Sequence, residues 1–223
     1  MSTSFLFHAF LLRDFDYVRQ FFVGGEILFA IKPKPKMLRC PDCGSKDVIR
    51  RGLFERRLRT VPVGLKPIIL LVKVPRVACK VCGCVRRIKL GMADDRRSYT
   101  KGFARFVLSL ARVMALQDIA KLLGVGWDLV KDIYKRWLKH RFSQPKLKKL
   151  KQIAIDEISV RKGHKYLTLV LDLKTGAVVF VGEGKGADAL TPFWERLKRS
   201  GARIEAVAMD MGPAYIDAVT GNL

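Results

Sequence analysis

Five cysteines lie between positions 40 and 84 of this 223-residue chain. They fall as Cys40-Pro-Asp-Cys43 and Cys79-Lys-Val-Cys82, with Cys84 two residues further on. Two intervening residues let both thiolates of a pair reach one tetrahedral ion from a tight turn. Gly44 and Gly83, which follow, supply the left-handed backbone that closes such a turn. The spacing predicts a structural Zn2+ held by Cys40, Cys43, Cys79 and Cys82. Cys84 is either a spare thiol or a substitute ligand for Cys82. Disulfides are not expected, because the pairing is local and no secretory segment accompanies it. The 35 residues between Cys43 and Cys79 exceed the about 15–20 of a compact finger. They leave room for hairpins, so a β-rich zinc ribbon is expected. Its strands offer few apolar residues, and the metal is expected to supply much of its folding energy.

A second set of candidate ligands is acidic. Asp156 follows Gln152-Ile-Ala-Ile, and Asp210 follows the apolar run 204–209. Each is expected at the end of a strand. Two hard anionic ligands side by side suit Mg2+ or Mn2+. A pair of such ions about 4 Å apart can activate an attacking oxygen and stabilise a leaving oxygen on phosphorus. Taken singly, either Asp is as well explained by a strand-end turn or a helix N-cap. Asp172 is expected to be such a turn residue. Glu157 is expected to face away from Asp156, because side chains alternate along a strand.

Charge points to a partner. The chain carries 43 Lys+Arg against 20 Asp+Glu. Residues 32–151 hold 32 basic and 8 acidic side chains, residues 152–223 hold 9 of each, and the first 31 hold 2 and 3. The whole excess therefore sits mid-chain, where it attracts a polyanion in a salt-dependent way. Arg56, Arg57 and Arg59 load one ribbon strand and are expected to lie against phosphates.

The elements that carry these residues follow from periodicity. Residues 5–12 read as a short helix, followed by a hairpin about Gly24-Gly25. Strands are expected at 56–63 and 68–77, then a polar linker at 91–98. Residues 100–114 are helical by spacing, and 116–137 read as a helix-turn-helix. Ala120 allows two helices to cross, Gly124 turns the chain, and Val125 plugs the corner. The second helix would present Trp127, Lys131 and Lys135 to a major groove. Gly126 near its start is expected to cost about 1 kcal/mol. Beyond a basic linker the order is β-β-β-α-β-α, the layout of an RNase H-like domain, in which the first and fourth strands are neighbours.

The expected fold class is therefore multidomain α+β. The modules are an N-terminal helix and hairpin (1–36), a zinc ribbon (37–90), a helix-turn-helix (91–145) and part of an RNase H-like domain (151–223). No apolar run approaches the about 20 residues of a membrane span. The aromatic N-terminus lacks the basic region of a signal peptide. A cytoplasmic, nucleoid-associated prokaryotic protein is expected.

A zinc ribbon, a helix-turn-helix, and a domain with Ile-Asp156-Glu157, Gly163-His164-Lys-Tyr166 and Met-Asp210-Met211 together resemble the DDE transposases of insertion sequences, of the ISL3 type. The resemblance runs from about Arg39 to the C-terminus. It implies that Asp156 and Asp210 are the first two metal-binding acids of metal-dependent strand cleavage and transfer. It also implies that the N-terminal modules grip the terminal inverted repeats of double-stranded DNA, with a homo-oligomer acting on those ends and on target DNA. His164 is assigned no catalytic role. The family's third acid, a Glu on a late helix, lies beyond the second Asp by more than the 13 residues present here. A truncated, catalytically incomplete form is expected. A DNA-binding regulator without catalysis is the alternative. It accounts for the charge and the helix-turn-helix but not for the two aspartates. An RNA-binding ribbon fits less well, because A-form major grooves exclude helices.

Overall fold

The structure is a computed structural model that describes residues 5–10, 12–161, 165–210 and 212–223. Gly163, His164 and Met211 of the motifs above lie outside these residues. The chain divides into two compact units, Met1–Leu138 and Lys139–Leu223.

The first unit opens with α1 (Phe5–Phe10), then β1 (Phe15–Val23) and β2 (Glu26–Pro33). Gly24 and Gly25 join these two strands at φ +59 and +79. Two successive positive φ values are what a tight hairpin turn of this hand requires, and glycine adopts them without strain. Next come β3 (Val48–Val63), β4 (Lys66–Cys79) and the short β5 (Val85–Arg87). The sheet order is β1-β2-β4-β3, with β5 paired to β4. The β2–β4 pair is parallel, with Ile27–Ile31 beside Ile68–Val72. The N-terminal hairpin and the cysteine-bearing strands thus form one sheet.

That sheet overturns one expectation. Leu58, Leu70, Val72 and Val77 have no exposed surface, and Ile68, Val74, Ile88 and Leu90 are almost as deeply buried. They pack with Leu6, Leu12, Phe29 and Ile31. The ribbon is not poor in apolar residues: β4 alone buries Ile68, Leu70, Val72, Val74 and Val77, and the N-terminal segment adds Leu6, Leu12, Phe29 and Ile31. Hydrophobic burial thus contributes to this core alongside any metal, at roughly 1.5–3 kcal/mol per fully buried aliphatic side chain.

Residues 91–98 also differ from a free linker. Ala93 is buried. The Arg59 N–H donates to the Ser98 carbonyl and the Thr100 N–H to the Arg59 carbonyl, both at 2.8 Å. The helices that follow are therefore pinned to β3. They are α2 (Lys101–Leu110), α3 (Leu116–Leu123) and α4 (Trp127–Phe142). Thr100 caps α2 by accepting from the Phe103 N–H at 3.1 Å. Gly124 closes α3 at φ +59. Gly126 lies before the first residue of α4, so the helix-interior penalty expected for it does not arise. Phe103, Val107, Ile119 and Val130 form the fully buried centre of this bundle, with Ala120 at the crossing and Val125 packed at the corner.

The second unit contains β6 (Gln152–Arg161), β7 (Lys165–Asp172), β8 (Val178–Glu183), α5 (Ala187–Ser200), β9 (Ala206–Met209) and α6 (Pro213–Thr220). Its sheet order is β8-β7-β6-β9, with β6 and β9 parallel and the other pairs antiparallel. Asp172 accepts from the Lys174 N–H and the Thr175 hydroxyl, the turn role expected of it. Leu190, Phe193, Trp194 and Leu197 bury one face of α5 against Ile153, Ile155 and Val170. The approach is close at Gly182, where an added Cβ would stand 2.3 Å from the Ala189 carbonyl oxygen. The clash is with backbone, which has no rotamer to move. Gly182→Ala is expected to destabilise this unit by on the order of 3 kcal/mol. A denaturant titration showing a loss within about 0.5 kcal/mol, the range of neutral surface changes, would contradict this packing. No helix among the described residues is long and apolar enough to cross a membrane.

Candidate metal centre and nucleic-acid interface

The two cysteine turns meet at one end of the sheet. The Gly44 N–H bonds the Cys40 carbonyl, and the Gly83 N–H bonds the Cys79 carbonyl, which closes both knuckles. Val48 pairs with Cys79 across β3 and β4, so the register brings the two turns together. The sulfurs of Cys40, Cys43, Cys79 and Cys82 all lie within 4.8 Å of one another. Cys40 to Cys82 and Cys43 to Cys79 are each 3.5 Å. A tetrahedral ion with sulfur at about 2.3 Å sets sulfurs about 3.8 Å apart, so the four thiols fit a metal of that geometry. Cys84 also belongs to the cluster, with its sulfur 3.2 Å from that of Cys40. The Cys43 N–H donates to the Cys40 sulfur at 3.5 Å and is the main reason the Cys40 thiol pKa is lowered to about 6. Shared hydrogen bonding with that sulfur pushes the Cys84 thiol the other way, upward. The thiolate is the form of cysteine that binds metal.

The three strand arginines have different surroundings. Arg57 is exposed and pairs with Glu26 at 3.3 Å. Arg56 donates through Nη2 to the carbonyls of Asp94, at 2.9 Å, and Arg97, at 2.6 Å. Arg59 is turned inward. Its Nη2 donates to the Leu123 carbonyl at 2.6 Å, and its Nη1 lies 3.7 Å from Glu26. That bond satisfies a carbonyl left open at the end of α3, and it ties the helical bundle to β3. Where a phosphate contact was expected of Arg59, the guanidinium faces inward.

On α4, Trp127, Lys131 and Lys135 are exposed and recur every fourth residue, while Val130 and Ile133 are buried. They form one outward stripe. The Lys131 ammonium stands 4.5 Å from the centroid of the Trp127 ring, a cation–π contact that orients both. An exposed aromatic and two lysines on the second helix of a helix-turn-helix suit the edge and backbone of a major groove.

In the second unit, Ile155 pairs with Met209 across the parallel β6–β9 ladder. Asp156 is the next residue of β6, which runs on to Arg161, so it stands mid-strand rather than at the strand end expected of it; Asp210 directly follows β9, and both are exposed. Ile153 and Ile155 face the core, so alternation puts Asp156 on the opposite face of β6. Asp156 Oδ1 accepts from the Glu157 N–H at 2.8 Å. Glu157 points the other way, as alternation predicts, and accepts from the Tyr215 hydroxyl on α6. That hydroxyl also accepts from the Gly186 N–H at 3.0 Å and lies 3.3 Å from Thr168 Oγ1. Burial, then the bond to Glu157, raises the Tyr215 pKa, so it stays a donor. This Tyr215 junction was not foreseen, because nothing near Tyr215 in sequence announces a partner 58 residues away. Asp217, the remaining acid of α6, is exposed.

Comparison with known families and proteins follows the same division. Residues 38–82 match a family model described as the zinc-finger of transposase IS204/IS1001/IS1096/IS1165. Residues 88–138 match the helix-turn-helix domain of transposase family ISL3, and residues 153–223 match a transposase model of the ISL3 type. The chain is 30% identical over 193 residues to the transposase for insertion sequence element IS1001 of Bordetella parapertussis, covering 86% of this chain and 48% of the relative. It is 28% identical over 201 residues to the transposase for insertion sequence element IS1557 of Mycobacterium tuberculosis, covering 88% and 45%. The chain thus spans about half the length of the curated relatives it matches. No solved structure matches it.

Proposed function

We propose that this chain, which belongs to the ISL3 family of insertion-sequence transposases, grips the terminal inverted repeats of a mobile element and contributes two metal-binding acids to DNA strand cleavage and transfer. The observation that carries the reading is that Asp156, midway along β6, and Asp210, directly after β9, each follow the paired residues Ile155 and Met209 of these parallel neighbours, in a chain that also has a helix-turn-helix. The strand order β8-β7-β6-β9 supports an RNase H-like domain. The cysteine cluster holds Zn2+ and keeps the β3 and β4 ends together. Trp127, Lys131 and Lys135 read the groove, and Arg57 lies against phosphate. Two element ends are held at once, which calls for more than one copy of the chain.

At the aspartate pair, Mg2+ or Mn2+ would supply the Lewis acidity that activates an attacking oxygen on phosphorus. Asp156 and Asp210 would hold it, while Glu157 and Tyr215 fix the strand and helix around them. Asp156→Asn and Asp210→Asn are each expected to weaken Mn2+ binding by at least about tenfold, or about 1.4 kcal/mol. Electron paramagnetic resonance of free Mn2+ measures this directly, and unchanged affinity in both variants would remove the pair from the metal site. Two carboxylates are fewer than the three that the resemblance implies for a metal pair. Asp217 is exposed and Glu157 is engaged with Tyr215.

A further inference from the structure

A groove of about 890 Å³ lies along the sheet of the first unit, and none of Trp127, Lys131 and Lys135 lines it. Phe54 and Arg56 of β3, Val74 and Arg76 of β4 and Arg87 of β5 form one wall, and residues 95–98 form the other. Eight Arg or Lys side chains line it, against two Asp. Seven of the eight are arginine, whose planar fork matches phosphate in a way that lysine does not.

Three features set this groove apart from a solvated basic surface. Arg76 stands directly opposite Arg87 across the β4–β5 ladder. Like charges in that position destabilise a sheet, so the pair does not serve the fold. The Arg87 guanidinium is stacked 3.6 Å from the centroid of the exposed Phe54 ring, which fixes its plane in advance. Arg96 has φ +63 and is the one non-glycine residue at positive φ among those described. That conformation is unfavourable for a side chain with a Cβ. It is held because Arg56 clamps the carbonyls of Asp94 and Arg97 on either side, while Arg97 is paired with Asp132 of α4 at 3.0 Å. The Arg96 side chain remains exposed. Asp42 is taken by Arg86 at 3.1 Å. Among the described residues no carboxylate pairs with Arg76 or Arg96.

We propose that this groove is a second DNA site, which holds the phosphodiester backbone of the duplex through Arg76, Arg87 and Arg96, independently of the sequence read by α4. The inference rests on the DNA-binding reading above. Phosphate contacts position a protein on the duplex and carry no sequence information, whereas base contacts from a recognition helix do. The two surfaces are therefore separable by experiment.

The test uses the whole chain, two duplexes of equal length, and fluorescence anisotropy across a salt series. One duplex carries the element's ends and the other a scrambled sequence. Arg76→Ala combined with Arg87→Ala is expected to weaken binding to both duplexes equally. The slope of log affinity against log salt should become shallower by about 2, at about 0.9 for each phosphate no longer neutralised. Lys131→Ala combined with Lys135→Ala should instead weaken binding mainly to the element's ends. Arg76→Ala alone removes the like-charge opposition without touching the Phe54 stack, so it should melt no lower than the parent while its slope still falls by about 1. Binding by the parent with an unchanged slope in the double variant overturns the groove alone. Failure of the parent to bind either duplex overturns the DNA-binding reading and the groove with it.

Discussion

Affinity for duplex DNA is expected to fall by about three to five orders of magnitude between 50 and 200 mM salt, the behaviour of proteins with about 6–10 phosphate contacts. The cause is the location of charge rather than its total. Residues 32–151 carry 32 Lys+Arg against 8 Asp+Glu. Many of these cations line the sheet groove or the outward face of α4. Each that neutralises a phosphate releases condensed counterions, and added salt opposes that release. Not every arginine counts toward the total. Arg59 is held by the Leu123 carbonyl, and Arg56 by two carbonyls of the 94–97 segment. A slope set by about 6–10 phosphates is therefore more reasonable than one set by all 32 cations. An anisotropy titration against the element's ends gives this slope directly. Affinity that stays flat across the range would mean that binding, if any, does not run through phosphate.

Replacing Cys43 with serine is expected to empty the cysteine cluster of Zn2+, from one ion per chain to nearly none, while the sheet core stays folded. Zinc contributes about 10–16 kcal/mol in finger peptides that have no other core. This unit does have one. Leu58, Leu70, Val72 and Val77 are completely buried in a sheet that also draws on the N-terminal hairpin. The effect should be confined to the turns at 40–47 and 79–84, and to β5, which pairs only with the end of β4. Elemental analysis and amide hydrogen exchange read the two halves of this expectation. Protection should vanish at 40–47 and 79–87 and persist at 68–74. Global loss of protection would show that the metal organises the whole sheet. Cys84→Ser should retain the ion, since Cys40, Cys43, Cys79 and Cys82 already lie within 4.8 Å of one another.

The parts of this protein that were legible in sequence are those written over short distances. A Cys-x-x-Cys-Gly turn needs five consecutive residues, and both knuckles close as read. Ala120, Gly124 and Val125 mark a helix-turn-helix within six positions, and the bundle forms on them. Asp156 and Asp210 sit one residue past short runs rich in apolar residues, and the β-β-β-α-β-α order, likened to an RNase H-like layout, predicted that those runs would be neighbours, as the β6–β9 ladder has them. Alternation then turned Glu157 away from Asp156. What only the tertiary structure decided are the pairings that span tens of residues. The parallel β2–β4 ladder gave the apolar run 68–72 of β4 an N-terminal hairpin to share its core with. A carbonyl 64 residues away turned Arg59 inward. Three strands and a clamped loop collected Arg76, Arg87 and Arg96 into one groove. An arginine's type and local spacing say that it is charged. Whether it caps a helix or faces a phosphate depends on which carbonyl, ring or carboxylate the fold brings within reach, and that is set by the burial of a shared sheet face rather than by neighbours in the chain.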